Sequence, residues 1–94
     1  MKAVHTEAKR KIDLYTDEGE HVGEIEYMKG GNDDLYAVRT EVFKGQENKG
    51  YGSALVDELA AFARERGMKI TPICPFVKAT FARHPEKYGD VMKL

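Results

Sequence analysis

Three places in this chain have residue types and spacings suited to chemistry. The first is Lys49-Gly50-Tyr51-Gly52-Ser53, between a strand-like segment and the only long amphipathic stretch. Glycines at the entrance to a helix let backbone N–H groups approach a ligand closely, and unpaired amides with the helix dipole favour an anion there. Lys49 adds a positive charge; a tight turn that binds nothing is the alternative reading. The second is Cys74, the only thiol. It is either a nucleophile or a small buried apolar residue, and a following helix with Lys78 nearby would favour its thiolate. The third is Glu41, a general-base candidate at the end of a strand, or else an exposed carboxylate.

The elements that must position these residues follow from periodicity. Lys11 to Tyr15 alternates, with Ile12 and Leu14 on one face. Asp17-Glu18-Gly19-Glu20 reads as a turn, Val22 to Met28 as a second strand, and Gly30-Gly31-Asn32-Asp33 as a second turn. Leu35 to Phe43 is a third strand, placing Arg39, Glu41 and Phe43 on one face and Thr40 and Val42 on the other. From about Gly50 to Arg66 the period becomes helical, with Leu55, Val56, Leu59, Phe62 and Ala63 in one stripe and Gly67 suited to end it. Met68 to Ile73 is a short strand, and Val77 to Arg83 a last short helix stopped by His84-Pro85.

Strand, glycine turn, helix and strand form a βαβ unit with a right-handed crossover. The fold class is therefore α+β: a mostly antiparallel sheet with its last two strands parallel, one long helix on a face and a short C-terminal helix. Pro72 and Pro75 lack the N–H that a fully paired strand needs. A gap between that strand and Leu35–Phe43 is the expected ligand slot.

Ninety-four residues allow one small domain, 1–94. Lys and Arg (15) balance Asp and Glu (16), so no nucleic-acid footprint is expected, and Lys9-Arg10-Lys11 reads as a solvated strand start. No apolar run approaches the ~20 residues that cross a bilayer, and Met1 to Arg10 lacks the apolar segment of a secretory signal. A single cysteine suits a reducing cytoplasm. His5 and His21 have no companions at metal-ligand spacing, so no metal is expected. Phe76 and Phe81 read as core or slot walls. Tyr51 either covers the glycine turn or lies on the surface. His84 is either a partner for Cys74 or a helix-ending surface residue.

The order of these motifs resembles the Gcn5-related N-acetyltransferase superfamily, and within it the minimal single-domain YjdJ-like acetyltransferases. Arg39-Thr40-Glu41-Val42, Lys49-Gly50-Tyr51-Gly52-Ser53-Ala54-Leu55-Val56, Cys74-Pro75-Phe76-Val77 and His84-Pro85-Glu86 carry the resemblance, over roughly residues 12 to 90. It implies acetyl-CoA as cosubstrate, with the pyrophosphate on backbone amides of Asn48, Lys49, Gly50, Tyr51, Gly52 and Ser53. The pantetheine arm would pair with backbone near Val42, and the thioester would point toward Cys74. The chain departs from the family at Glu47-Asn48-Lys49-Gly50-Tyr51-Gly52, where the usual turn begins Arg/Gln-Gly-x-Gly-x-Gly. Asn48 tolerates the left-handed conformation a glycine would take, and Lys44 and Lys49 offset Glu47. Arg39 stands where relatives usually carry His, and Lys87 interrupts a His-Pro-Glu-Tyr pattern ahead of Tyr88.

The function this implies is transfer of an acetyl group to an amine of unidentified acceptor. Catalysis is assigned to Cys74 and Glu41, on an open acceptor face, in a monomer or weak dimer without nucleic acid or membrane partners. The alternative is a non-catalytic CoA- or acyl-CoA-binding module, or a protein-interaction module, on the same fold.

Overall fold

The computed structural model describes residues 1–93. Strand β1 (Lys2–Thr6) leads through a single 3-10 turn (Glu7–Lys9) into β2 (Lys11–Tyr15), followed by β3 (His21–Lys29) and β4 (Asp34–Val42). Helix α1 (Tyr51–Arg66), β5 (Lys69–Pro72), α2 (Pro75–Arg83) and α3 (Pro85–Tyr88) complete the order. One sheet runs β1-β2-β3-β4-β5; its first four strands are antiparallel and β4 with β5 is parallel. This is the expected α+β arrangement.

Beyond the sequence reading there are two additions and a correction. Strand β1 pairs with β2 from Lys2–Tyr15 to Thr6–Lys11; its short, weakly alternating sequence hid it. After His84-Pro85 the chain starts another turn of helix, because proline is well placed at a first helical position. Lys9 and Arg10 are not a strand start. Lys9 ends the 3-10 turn, and Arg10 takes a left-handed conformation (φ 54°) whose carbonyl accepts from the Tyr27 amide at 3.0 Å.

Every residue of the predicted α1 stripe is buried, against Ile12, Leu14, Ile25, Tyr27, Leu35, Ala37 and Ile70 of the sheet. Each such aliphatic side chain contributes on the order of 1.5–3 kcal/mol. The helix sits very close to β3: a Cβ on Gly23 would lie 2.7 Å from the Glu41 carbonyl oxygen and 3.3 Å from Leu55 Cδ1. At its other end Gly67 closes α1 in the left-handed conformation, its amide returning to Ala63 and Arg64.

The feature that positions the site is the early end of β4–β5 pairing. Only Asp34–Ala37 pairs with Lys69–Pro72. The amides of Ile73 and Cys74 both converge on the Ala37 carbonyl (3.0 and 2.8 Å), and Pro72 and Pro75 offer no N–H to continue the ladder. The chain turns away into α2 while β4 runs on to Val42.

Candidate active site

Beyond Ala37, β4 has no strand paired on its β5 side among the described residues. The Phe43 amide donates to the Val22 carbonyl (2.9 Å). Bonds along an antiparallel pair alternate, so Arg39 and Glu41 direct their backbone groups at β3, while those of Thr40 and Val42 face the opening. That opening continues into a cleft of about 370 Å³ whose walls are Thr40 and Val42, the loop before α1, the first turn of α1, and Phe76 of α2.

The loop is built for a close approach. Asn48 (φ 64°) and Gly50 (φ 83°) are both left-handed, as expected for Asn48. The first helical bond is from the Ala54 amide to the Gly50 carbonyl (3.1 Å). The amides of Tyr51, Gly52 and Ser53 therefore have no helical partner. No acidic residue and no side-chain cap occupies that first turn. Glu47, the residue least suited to an anion, accepts the Gly45 amide at 2.9 Å and is tied to its own loop. The Lys49 ammonium rests on Gln46 Oε1 (3.2 Å), beside the cleft rather than in its wall.

Cys74 is the N-cap of α2, ahead of Pro75, and its sulfur lies 3.6 Å from Thr40 Oγ1. Burial pushes its thiol up, but the Val77 amide, the Thr40 hydroxyl and the amides of Phe76 and Thr40 outweigh that and hold it below the ordinary value. His84 does not join it. It is exposed beside Glu86 (3.7 Å), about 15 Å away along the helix at 1.5 Å per residue.

Glu41 lies on the opposite face of β4 from Thr40 and Val42. Arg39 holds it at 2.5 Å and also reaches Glu24 (3.0 Å) and Glu26 (2.7 Å). Among the described residues no helix covers Arg39 and Glu41, which are both exposed. A cross-strand row of carboxylates, Asp13–Glu24–Glu41, runs across this face, with Lys11 and Arg39 as counter-ions. His21 does have companions: its Nε2 is 2.8 Å from Asp13, and Asp13, His21 and Glu24 present ligand atoms within 4.8 Å of one another. The Lys11 ammonium, 3.6 Å from both Asp13 and Glu24, already supplies their positive charge.

Tyr88 is not in the cleft. It is 1% exposed, its hydroxyl donates to Asp57 at 2.5 Å, and burial and that carboxylate raise it far above the usual phenol range. The sequence reading missed Thr40, Gln46 and Glu47 as lining residues. For Thr40 a signal was present, since it shares a strand face with Val42.

With this geometry in view, sequence comparison is decisive. The family described as GCN5-related N-acetyl-transferase matches residues 11–91. The chain belongs to that family. No curated protein matches it in sequence. Among solved structures, this GCN5-related chain is similar to a GCN5-like candidate N-acetyltransferase from Staphylococcus aureus, with 25% identity and a TM-score of 0.77 over 98% of this chain and 87% of that one. It is also similar to nourseothricin acetyltransferase (31% identity, TM-score 0.56, 64% of this chain) and to a candidate acetyltransferase from Pyrococcus furiosus (28%, TM-score 0.59, 78% of this chain). It spans only 36% and 56% of those two proteins. Among the described residues, no helix is long and apolar enough to cross a membrane.

Proposed function

We propose that this GCN5-related protein transfers the acetyl group of acetyl-CoA to an amine. One observation carries the reading: a single cleft joins the unpaired edge of β4 to the free amides at the start of α1. The amides from Asn48 to Ser53 and the nearby Lys49 suit a pyrophosphate. The Thr40 and Val42 backbone suits the amides of a pantetheine arm, which would pair as a missing strand would. That arm would carry the thioester toward Ala37 and Cys74.

The acceptor would approach from the uncovered sheet face, where the four carboxylates of Asp13, Glu24, Glu26 and Glu41 outnumber the cations of Lys11 and Arg39 and so favour an ammonium group. The unpaired stretch of β4 leaves a way through the sheet to the thioester. Glu41 takes one proton from the ammonium group, directly or through water. The neutral nitrogen attacks the thioester carbonyl carbon, a C–N bond forms, the C–S bond breaks, and the CoA sulfur keeps the amine's second proton. In this scheme Cys74 backs the cleft wall through its contact with Thr40, and transfer is direct.

Calorimetric titration with acetyl-CoA and with CoA tests the reading, using wild type and Ser53→Glu. A carboxylate in the first turn complements the helix dipole, so the variant stays folded, yet it repels a pyrophosphate. Micromolar binding that Ser53→Glu abolishes is expected; no heat from the folded wild type would end the acetyltransferase reading. Arg39 on Glu41 and Tyr88 on Asp57 favour a second reading, a CoA-binding module without efficient transfer. Binding with no acetylation of polylysine or of a panel of small amines would select it.

A further inference from the structure

Gly52 lies in the first turn of α1 but is absent from the positive-φ residues. Its backbone conformation therefore demands no glycine. Space does. A Cβ at position 52 would stand 2.6 Å from Phe76 Cζ and 2.9 Å from Cε2, closer than real Cβ atoms come to any neighbour. All three nearest atoms belong to the Phe76 ring.

From the first turn of α2 that ring reaches across to the first turn of α1. It lines the same cleft as Thr40 and Val42, and it keeps 37% of its surface exposed. An aromatic ring held half in solvent by a purpose-shaped seat leaves apolar area uncovered that a ligand can cover. Resting on the proposed function for the identity of the ligand, we infer that Gly52 is the seat of Phe76. On this view Phe76 is the wall against which the methylenes of the pantetheine arm pack. The second glycine of the turn thus lacks a side chain for the sake of Phe76 and the arm, while its amide stays available to the pyrophosphate. Phe76 Cζ is the tip of a flexible side chain, so a methyl group at position 52 tips the ring off its seat without unfolding the helix.

The two roles of Gly52 separate in a double-mutant cycle. Affinities of CoA and of 3′,5′-adenosine diphosphate, which lacks the arm, are measured by calorimetry for wild type, Gly52→Ala, Phe76→Ala, Phe76→Leu and Gly52→Ala/Phe76→Ala. Thermal melts confirm that each is folded, and Phe76→Leu provides a milder truncation at the same site. Phe76→Ala should weaken CoA about tenfold, as expected for loss of an aromatic anchor, and Phe76→Leu less. Neither should alter the diphosphate appreciably. Gly52→Ala should weaken CoA in the wild-type background and have little effect once the Phe76 ring is gone. An equal loss from Gly52→Ala in both backgrounds would show that the glycine serves the anion. Equal losses of CoA and the diphosphate in Phe76→Ala would show that the ring only supports the fold. Either result overturns the inference while leaving the acetyl-CoA reading standing, whereas a wild type that binds neither ligand removes both.

Discussion

Replacing Tyr88 by phenylalanine separates a structural hydrogen bond from a catalytic one. The Tyr88 hydroxyl is buried and donates to Asp57 at 2.5 Å, holding α3 against α1. A hydrogen bond to a charged acceptor contributes about 1.5–3 kcal/mol. Asp57 keeps the Lys87 ammonium at 3.0 Å and is itself 40% exposed, so solvent and Lys87 recover part of the loss. The expected cost is about 1–2 kcal/mol, a fall in Tm of roughly 5–10 °C for a domain of this size. The pH dependence has a definite sign. Because Tyr88 in the folded state ionises well above the usual phenol range, the unfolded chain loses its proton first as the pH rises past about 10. The stability from this bond is therefore complete below pH 10 and falls above it, by up to about 1.4 kcal/mol per pH unit. Urea denaturation of wild type and Tyr88→Phe from pH 7 to 11 measures both effects; the gap between the two proteins should close on the alkaline side. The variant's acetyl-transfer rate at neutral pH should match wild type, since Tyr88 lies outside the cleft. Unchanged stability with a large loss of turnover would refute this reasoning and make Tyr88 a proton donor to the reaction.

Gly23→Ala should destabilise the fold by about 2 kcal/mol, because the added methyl group meets a backbone carbonyl that cannot swing aside; a urea midpoint equal to wild type would contradict the packing described. Glu41→Gln should lower turnover at neutral pH by about 10²-fold, the scale of a lost general base, with CoA affinity intact by calorimetry; unaltered turnover would remove Glu41 from the chemistry. Alkylation of Cys74 by a small reagent should reach half its maximal rate at a lower pH than that of an unfolded cysteine peptide. Cys74→Ala should keep its transfer rate within about threefold; an acetylated Cys74 in the mass spectrum, with turnover abolished in the variant, would instead establish a covalent route.

The sequence made much of the frame legible. The α1 stripe and its Gly67 stop follow from a period of 3.6 that local residues impose, and both stand in the structure. The period-2 alternation of β4 holds on either side of Val38, where a bulge reverses the faces so that Leu35 and Ala37 point into the core but Arg39 and Glu41 away from it. The gap beside β4 was legible for a covalent reason, since two prolines cannot donate to a ladder whatever surrounds them. So was the left-handed Asn48, a property of one residue type. Strand β1 was not legible, because an edge strand held by the ladder of its neighbour β2 needs little hydrophobic signal of its own.

What depended on side chains meeting from distant parts of the chain was decided only by the tertiary structure. His21 on β3 meets Asp13 of β2 across a bulged strand pair, and Tyr88 is taken into the core by Asp57, thirty-one positions earlier. The sequence alone determined that Gly52 opens a helix; only the fold revealed that Phe76 fills the space above it. Periodicity and backbone chemistry act between near neighbours and can be read along the chain, whereas burial, ion pairing and steric exclusion exist only once remote residues share the same few ångströms.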